Sequence, residues 1–159
     1  MNLTPLTYDA VLEIAENMRE DDRREIFATR WNDDPVELAE QTMLYKTFGW
    51  VAWNHDKPVA VIGAIPVSPG FWALYCYGTD EFRQIRFSLT KFAIRCMMPA
   101  MIESGARRAE CLSIEDHTDA HGWLRLLGAK PDKELVDGLG RNGETFIRFV
   151  WRRDDARRI

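Results

Sequence analysis

The chain has 159 residues, 46% of them hydrophobic, which suffices for one domain with a core of its own and leaves no length for a second of similar size. Its formal net charge is -4, with acidic and basic residues interspersed, so it carries no nucleic-acid footprint; nor does it have a run of about 18 apolar residues to cross a membrane. Three widely spaced cysteines, Cys76, Cys96 and Cys111, exclude a disulfide framework and a C-x-x-C zinc site, and the start, Met1 to Asp9, lacks the basic-then-apolar pattern of a secreted protein.

A short extended start, Leu3 to Tyr8, leads into a helix to about Met18, marked by Tyr8, Leu12, Ala15 and Met18 at helical spacing. The charge run Arg19 to Arg24, followed by Ile26, Phe27 and Trp31, reads as a solvated helix turn and loop. Asp34-Pro35-Val36-Glu37 combines an acidic cap with proline at the first helical position and predicts a second helix to about Tyr45. Trp50 to Trp53 and Pro58 to Ile65 are strand-like runs around the polar turn Asn54-His55-Asp56-Lys57, and Phe71 to Tyr77 follows as a third strand of this meander.

From about Asp80 a long helix is predicted, with Phe82, Ile85, Leu89, Phe92, Cys96 and Met97 on its buried side, Pro99 kinking or ending it and Gly105 closing it. A strand from Arg108 to Ile114, a helix from Asp119 to Leu127 stopped by Gly128, and strands at Lys133 to Val136 and Thr145 to Arg152 complete the chain. The expected fold is α/β (α+β): a mixed, mostly antiparallel sheet of six to seven strands flanked by about four helices, in one domain over 1–152 with a charged, frayed tail over 153–159. The aromatic stripe Trp50, Trp53, Trp72, Tyr75 and Tyr77 is expected in the core or lining a pocket or interface.

This order of elements resembles that of the GCN5-related N-acyltransferases (GNAT) over almost the whole chain. The stretch His117-Thr118-Asp119-Ala120-His121-Gly122-Trp123-Leu124-Arg125-Leu126-Leu127-Gly128-Ala129 is in register with that family's N-x-x-A-x-x-F-Y-x-x-x-G-F; Ala120, Trp123 and Gly128 match. Leu124 stands where the resemblance implies a tyrosine that protonates the leaving thiolate. The family's glycine-rich pyrophosphate loop, Q/R-x-x-G-x-G/A, falls on Arg83-Gln84-Ile85-Arg86-Phe87-Ser88, where Arg86 replaces the first glycine. The resemblance implies acetyl-CoA or coenzyme A as the candidate ligand, with no cofactor required, and Tyr75, Tyr77, Arg83, Gln84, Arg86, Phe87 and Ser88 as its candidate contacts; an arginine can hold phosphate through its side chain.

Within that superfamily the chain most resembles the degenerate internal core (virion) proteins of short-tailed phages, through Tyr75-Cys76-Tyr77-Gly78-Thr79, the basic-aromatic helix Phe82 to Phe92 and the segment ending Leu126-Leu127-Gly128-Ala129. That resemblance implies a place in the virion interior or the host cytoplasm and contacts with phage or host proteins. An N-acyltransferase, should the site be active, needs a base, for which Glu115, His117 and Glu110 are the candidates. The cluster Glu115 to His121 lacks a metal-binding order, and Cys76 and Cys111 read as buried apolar thiols.

Overall fold

The computed structural model describes residues 1–156 and forms a single seven-stranded sheet in the order β1-β2-β3-β4-β5-β7-β6. The strands are β1 Asn2–Pro5, β2 Gly49–Asn54, β3 Lys57–Ser68, β4 Phe71–Gly78, β5 Arg108–Ile114, β6 Lys130–Val136 and β7 Phe146–Arg152. All neighbours are antiparallel except β4 and β5, so the expected fold class is the one observed. The β2–β3 turn is the tight hairpin anticipated at 54–57: Asn54 pairs with Lys57, and His55 takes φ 53°. The outer strand β6 is exposed along most of its length and carries Lys130, Pro131, Asp132 and Lys133, which blunt an open edge.

Helices α1 (Tyr8–Glu16), α2 (Glu20–Ala28) and α3 (Pro35–Leu44) cover one side of the sheet. Val11, Ile14, Leu38 and Ala39 pack there on Val51, Val61 and Tyr77. The start of α3 is as expected: the Asp34 carboxylate accepts from the N–H of Val36 at 2.8 Å and Pro35 opens the helix. On the other side lie the long helix that begins as α4 (Phe82–Phe92) and ends as α5 (Met98–Glu103), and α6 (Thr118–Leu126). Among the described residues no helix is long and apolar enough to cross a membrane.

Four expectations are corrected. The charge run is the first half of α2, and Asp22 within it is only 4% exposed, because its carboxylate has partners inside the protein. Pro99 neither ends nor breaks the long helix. Residues Ala93–Met97 form a π turn in which the N–H of Met98 reaches back five residues to Ala93, and the widened turn takes up the carbonyl clash that proline brings. The same turn corrects the buried face. Ile85, Leu89, Ala93, Met97 and Met101 recur every four residues, a spacing that drifts about 40° per step in a regular α-helix; the wider turn cancels the drift, so Ala93 and Met97 are buried while Cys96 is exposed. The tail does not fray at once: α7 (Arg153–Ala156) adds one turn, and residues 157–159 lie outside the described residues.

Candidate functional site

Strands β4 and β5 run parallel but pair only at Phe71–Arg108, Trp72–Ala109 and Ala73–Glu110. Beyond that point each follows its other neighbour, β4 staying with β3 and β5 with β7, and the two diverge. The wedge between them holds a cavity of about 160 Å³. Its walls are Leu74, Tyr75 and Cys76 of β4 and Cys111 and Ser113 of β5. Met97, Met98 and Met101 close it from the long helix, and Trp123, Leu124 and Leu127 from α6. Half-exposed Met98, Leu124 and Leu127 mark the side open between the two helices.

Trp123 is the anchor of that wall. Its Nε1–H donates to Thr90 Oγ1 at 2.8 Å and its ring meets Phe82 edge-on at 5.6 Å, so α4 and α6 are held together across the cavity.

The opposite end of the wedge is spanned by α2. Asp22 Oδ2 accepts from the N–H of Gly78, the last residue of β4, at 2.8 Å, and Asp22 Oδ1 lies 2.7 Å from the Arg19 guanidinium. One turn on, Glu25 Oε2 accepts from Ser113 Oγ (2.7 Å), from the N–H of Ile114 (2.8 Å) and from Nδ1 of His117 (2.9 Å), all at the tip of β5. One helix therefore ties the separated strand ends together through two carboxylates spaced i, i+3 on one face. Burial pushes the Asp22 carboxyl above its ordinary range, against the pull of Arg19. Burial alone would lower the His117 pKa, but the bond to Glu25 and the charges of Glu25 and Asp22 outweigh it and raise it. His117 is 3% exposed and its Nε2 has no protein hydrogen-bond partner; Asp22 Oδ1, at 3.7 Å, is too far. Tyr75 Oη and Trp151 Nε1 are likewise buried without a protein partner, the Tyr75 hydroxyl lying over Gly63 of β3 and Gly49 of β2, on the side away from β5.

The face that resembles a phosphate loop is filled rather than open. Phe82, 2% exposed, sits under the Arg19 guanidinium at 4.4 Å, and only a recess of about 10 Å³ remains between α4 and α6. The N–H groups of Phe82 and Gln84 are already taken by the carbonyls of Thr79 and Glu81. Arg83 reaches Asp119 at 3.3 Å, and Gln84 accepts from Asn54 at 2.9 Å. Arg86, Phe87 and Ser88 are exposed, with the Lys91 ammonium 4.5 Å above the Phe87 ring. Arg83 and Arg86 thus border the recess with side chains alone.

Of the other expected residues, Tyr75 lines the cavity, and burial pushes its hydroxyl up to about 12. Tyr77 does not: it is 1% exposed in the core on the α1–α3 side, its hydroxyl 3.0 Å from Thr42 Oγ1. Glu110 lies at the closed end of the wedge, paired with Arg108 and Arg148, and Glu115 is exposed beyond β5. Only His117 of the three base candidates lines the cavity. Arg19, Asp22, Glu25 and Ser113 were not anticipated; the i, i+3 acidic pair Asp22 and Glu25, at and just beyond the charge run, was the signal available. Cys76 and Cys111 do line the cavity, as half-buried thiols rather than fully buried ones. Burial raises the Cys76 pKa far above its usual range and pushes Cys111 up to about 12. No cluster of three metal-ligating side chains occurs among the described residues.

The Tyr75 ring fits only because β3 offers no side chain beneath it: a Cβ on Gly63 would lie 2.3 Å from Tyr75 Oη and Cζ. Gly63→Val is therefore expected to expel the ring and cost roughly 1–3 kcal/mol by overpacking. Urea unfolding checks it, and Tyr75→Ala in the same chain is expected to return most of the loss.

No protein-family model matches the chain, and no curated protein matches it. Solved structures do. A ribosomal-protein-alanine N-acetyltransferase from Brucella melitensis superposes with a TM-score of 0.72 at 13% identity, covering 96% of this chain and 99% of that one. The aminoglycoside 6'-N-acetyltransferase from Enterococcus faecium gives 0.67 at 15% identity over 96% and 97%, and the GNAT domain of S. lividans PAT gives 0.70 at 11% over 94% and 89%. The likeness is one of fold: this chain has a GNAT-like fold.

Proposed function

We propose that the wedge between β4 and β5 is an acyl-CoA site and that the protein acts on a thioester there, as an N-acyltransferase-like enzyme. The observation that carries this reading is the early divergence of two parallel strands around a largely apolar cavity of about 160 Å³. Solved structures of the same fold are N-acetyltransferases by name, which supports the reading at the level of fold.

The fit is uneven. The acyl end has room; the pyrophosphate end has no backbone cradle, so Arg83 and Arg86 would hold phosphate through their guanidinium groups. A second reading takes the filled cradle as its observation: the fold serves as a scaffold, an internal component of a phage particle or an accessory protein acting on host proteins through surface contacts, consistent with the residue likeness at Tyr75–Thr79 and Leu126–Ala129.

Calorimetric titration with acetyl-CoA and with coenzyme A separates the two. Micromolar binding is expected, weakened at least about fivefold by Arg86→Ala, since a charge-assisted hydrogen bond contributes about 1.5–3 kcal/mol before discount for exposure. No heat at millimolar ligand would reject the acyl-CoA site and leave the scaffold.

A further inference from the structure

Helix α2 spans the far end of the wedge, and its fastenings to the two strands differ. On the β4 side the backbone takes part: the N–H of Arg19 donates to the carbonyl of Gly78 at 2.9 Å, beside the bond from the N–H of Gly78 to Asp22. On the β5 side the polar bonds come from side chains, the Glu25 carboxylate and the exposed Arg24–Asp116 pair. Water and salt weaken the exposed pair. Glu25 is therefore the main polar hold of α2 on β5, and one of its three donors, His117, can lose a proton.

The surroundings of that ring suit the imidazolium. Glu25 Oε2 accepts the N–H of Ile114 at 2.8 Å and lies 2.9 Å from His117 Nδ1, so Nδ1 carries a hydrogen whether or not the ring is charged. Nε2 is buried without a hydrogen-bond partner, and Asp22 Oδ1 stands 3.7 Å away. A neutral ring leaves a bare lone pair near that carboxylate, shielded from water. A protonated ring places an N–H there. The charges agree: with the proton in place Arg19 and His117 balance Asp22 and Glu25, and without it one negative charge is left over among groups of which Asp22 is 4% and His117 3% exposed.

We infer that α2 is a proton-dependent clasp: protonated His117 keeps Glu25 on the tip of β5, and loss of that proton frees Glu25 from β5. The backbone bonds at the two ends of α2, Arg19 to Gly78 and Ala28 to Arg141, remain. The tip of β5 then moves more freely from β4, and the far end of the wedge responds to pH. The inference goes beyond the acyl-CoA reading and does not depend on what the wedge binds.

Asp22 and Glu25 on α2 favour the imidazolium, and Arg19 on the same helix opposes it. Cys76 on β4 and Cys111 on β5 face these carboxylates as neutral thiols. Asp116, next in sequence to the ring, is paired with Arg24; His121 lies on α6, whose N-terminal dipole also opposes a positive charge on His117 just before it. Burial pulls the ring below 6.5, but the bond to Glu25 and the charges of Glu25 and Asp22 outweigh burial and raise it. A group raised on folding contributes fully below its ordinary value and loses that contribution as pH rises through its folded one. Asp22, pushed up from 3.8 by burial, runs in the same direction from the acidic range, so the window above 6.5 is the one that reports His117.

The test uses the full chain without ligand. Nuclear magnetic resonance is expected to show the His117 ring protonated on both nitrogens at about pH 6 and titrating above the ordinary histidine value. Amide exchange, corrected for its intrinsic rise with pH, is expected to show the Ile114 N–H losing about tenfold in protection between about pH 6 and about pH 9, since one unit of pKa shift is a factor of ten. The N–H of Val61, buried in the middle of the sheet, is expected to keep its protection. His117→Gln is expected to abolish the change at Ile114, and His55→Asn, in the exposed β2–β3 turn, to keep it. Glu25→Gln leaves Ile114 an acceptor and is expected to lower the His117 midpoint, a readout that stands even where His117→Gln does not fold. A ring already neutral at about pH 6, Ile114 protection that does not change with pH, an equal change in a folded His117→Gln chain, or loss at Val61 in step with Ile114 each overturns the clasp. Acetyl-CoA takes no part in these readouts, so failure of the clasp and failure of the acyl-CoA site are seen separately.

Discussion

Asp22→Ala is expected to lower folding stability by about 3–5 kcal/mol, the usual loss when one partner of a buried ion pair is removed and the other stays charged. The stranded groups are specific: the Arg19 guanidinium, which stays charged over the Phe82 ring, and the N–H of Gly78, whose oxygen partner disappears with the carboxylate. Asp22→Asn keeps an acceptor for Gly78 while losing the charge, and roughly 1–3 kcal/mol is expected for it. Urea unfolding monitored by far-UV circular dichroism measures both. A loss under about 1 kcal/mol for the alanine variant would mean that α2 does not rest on β4 as described. A double-mutant cycle with Arg19→Met is expected to return most of the loss, because it removes the stranded charge.

Trp123→Ala is expected to cost about 3–5 kcal/mol, a large share of the roughly 5–15 kcal/mol that a domain has in total. Three contributions add: the lost burial of an indole only 9% exposed, the edge-on contact with Phe82, and the bond from Nε1 to Thr90 Oγ1, whose own hydroxyl hydrogen stays on the carbonyl of Arg86 at 2.7 Å. Because the ring is also a wall of the wedge, the cavity enlarges instead of collapsing, which places the cost at the upper end. Trp123→Phe, which keeps most of the apolar surface, is expected to lose less than half as much. Chemical unfolding with an unchanged m-value would assign the difference to the folded state. Equal losses for the two variants would show that the Thr90 bond, not the packing, matters.

The sheet was legible because β2, β3 and β4 are made of β-branched and aromatic runs set off by turn residues, and the α3 start because Asp34 and Pro35 each have one favourable place in a helix. The α2 helix was not, for a physical reason: hydrophobic periodicity detects a helix by apolar residues on its inner face, and two of the inward positions here are Asp22 and Glu25. A carboxylate can face inward only when strand ends supply donors, and those donors, the N–H groups of Gly78 and Ile114, come from residues 56 and 89 positions away. Beyond Phe92 the expected buried face had Met97 right but included Cys96 and missed Ala93, because a π turn cannot be read from a 3.6-residue period. For the site, His117 could be picked out through its place just after β5, whereas its nearest partner, Glu25, lies 92 positions earlier in the chain.

The short junction between β4 and β5 divides the sheet mechanically. Strands β1 to β4 form one continuous antiparallel ribbon and β5, β7 and β6 another, with three rungs as the seam. Such a seam behaves as a pivot: a small rotation about its rungs leaves the hydrogen bonds of either ribbon intact yet changes the gap at the far end several times more than at the seam itself. Across that far end α2 acts as a tie-rod fastened at Gly78 on one ribbon and at Ser113 and Ile114 on the other. Its charged bonds set how wide the two ribbons stand, so the aperture of the wedge is fixed by two carboxylates rather than by the sheet.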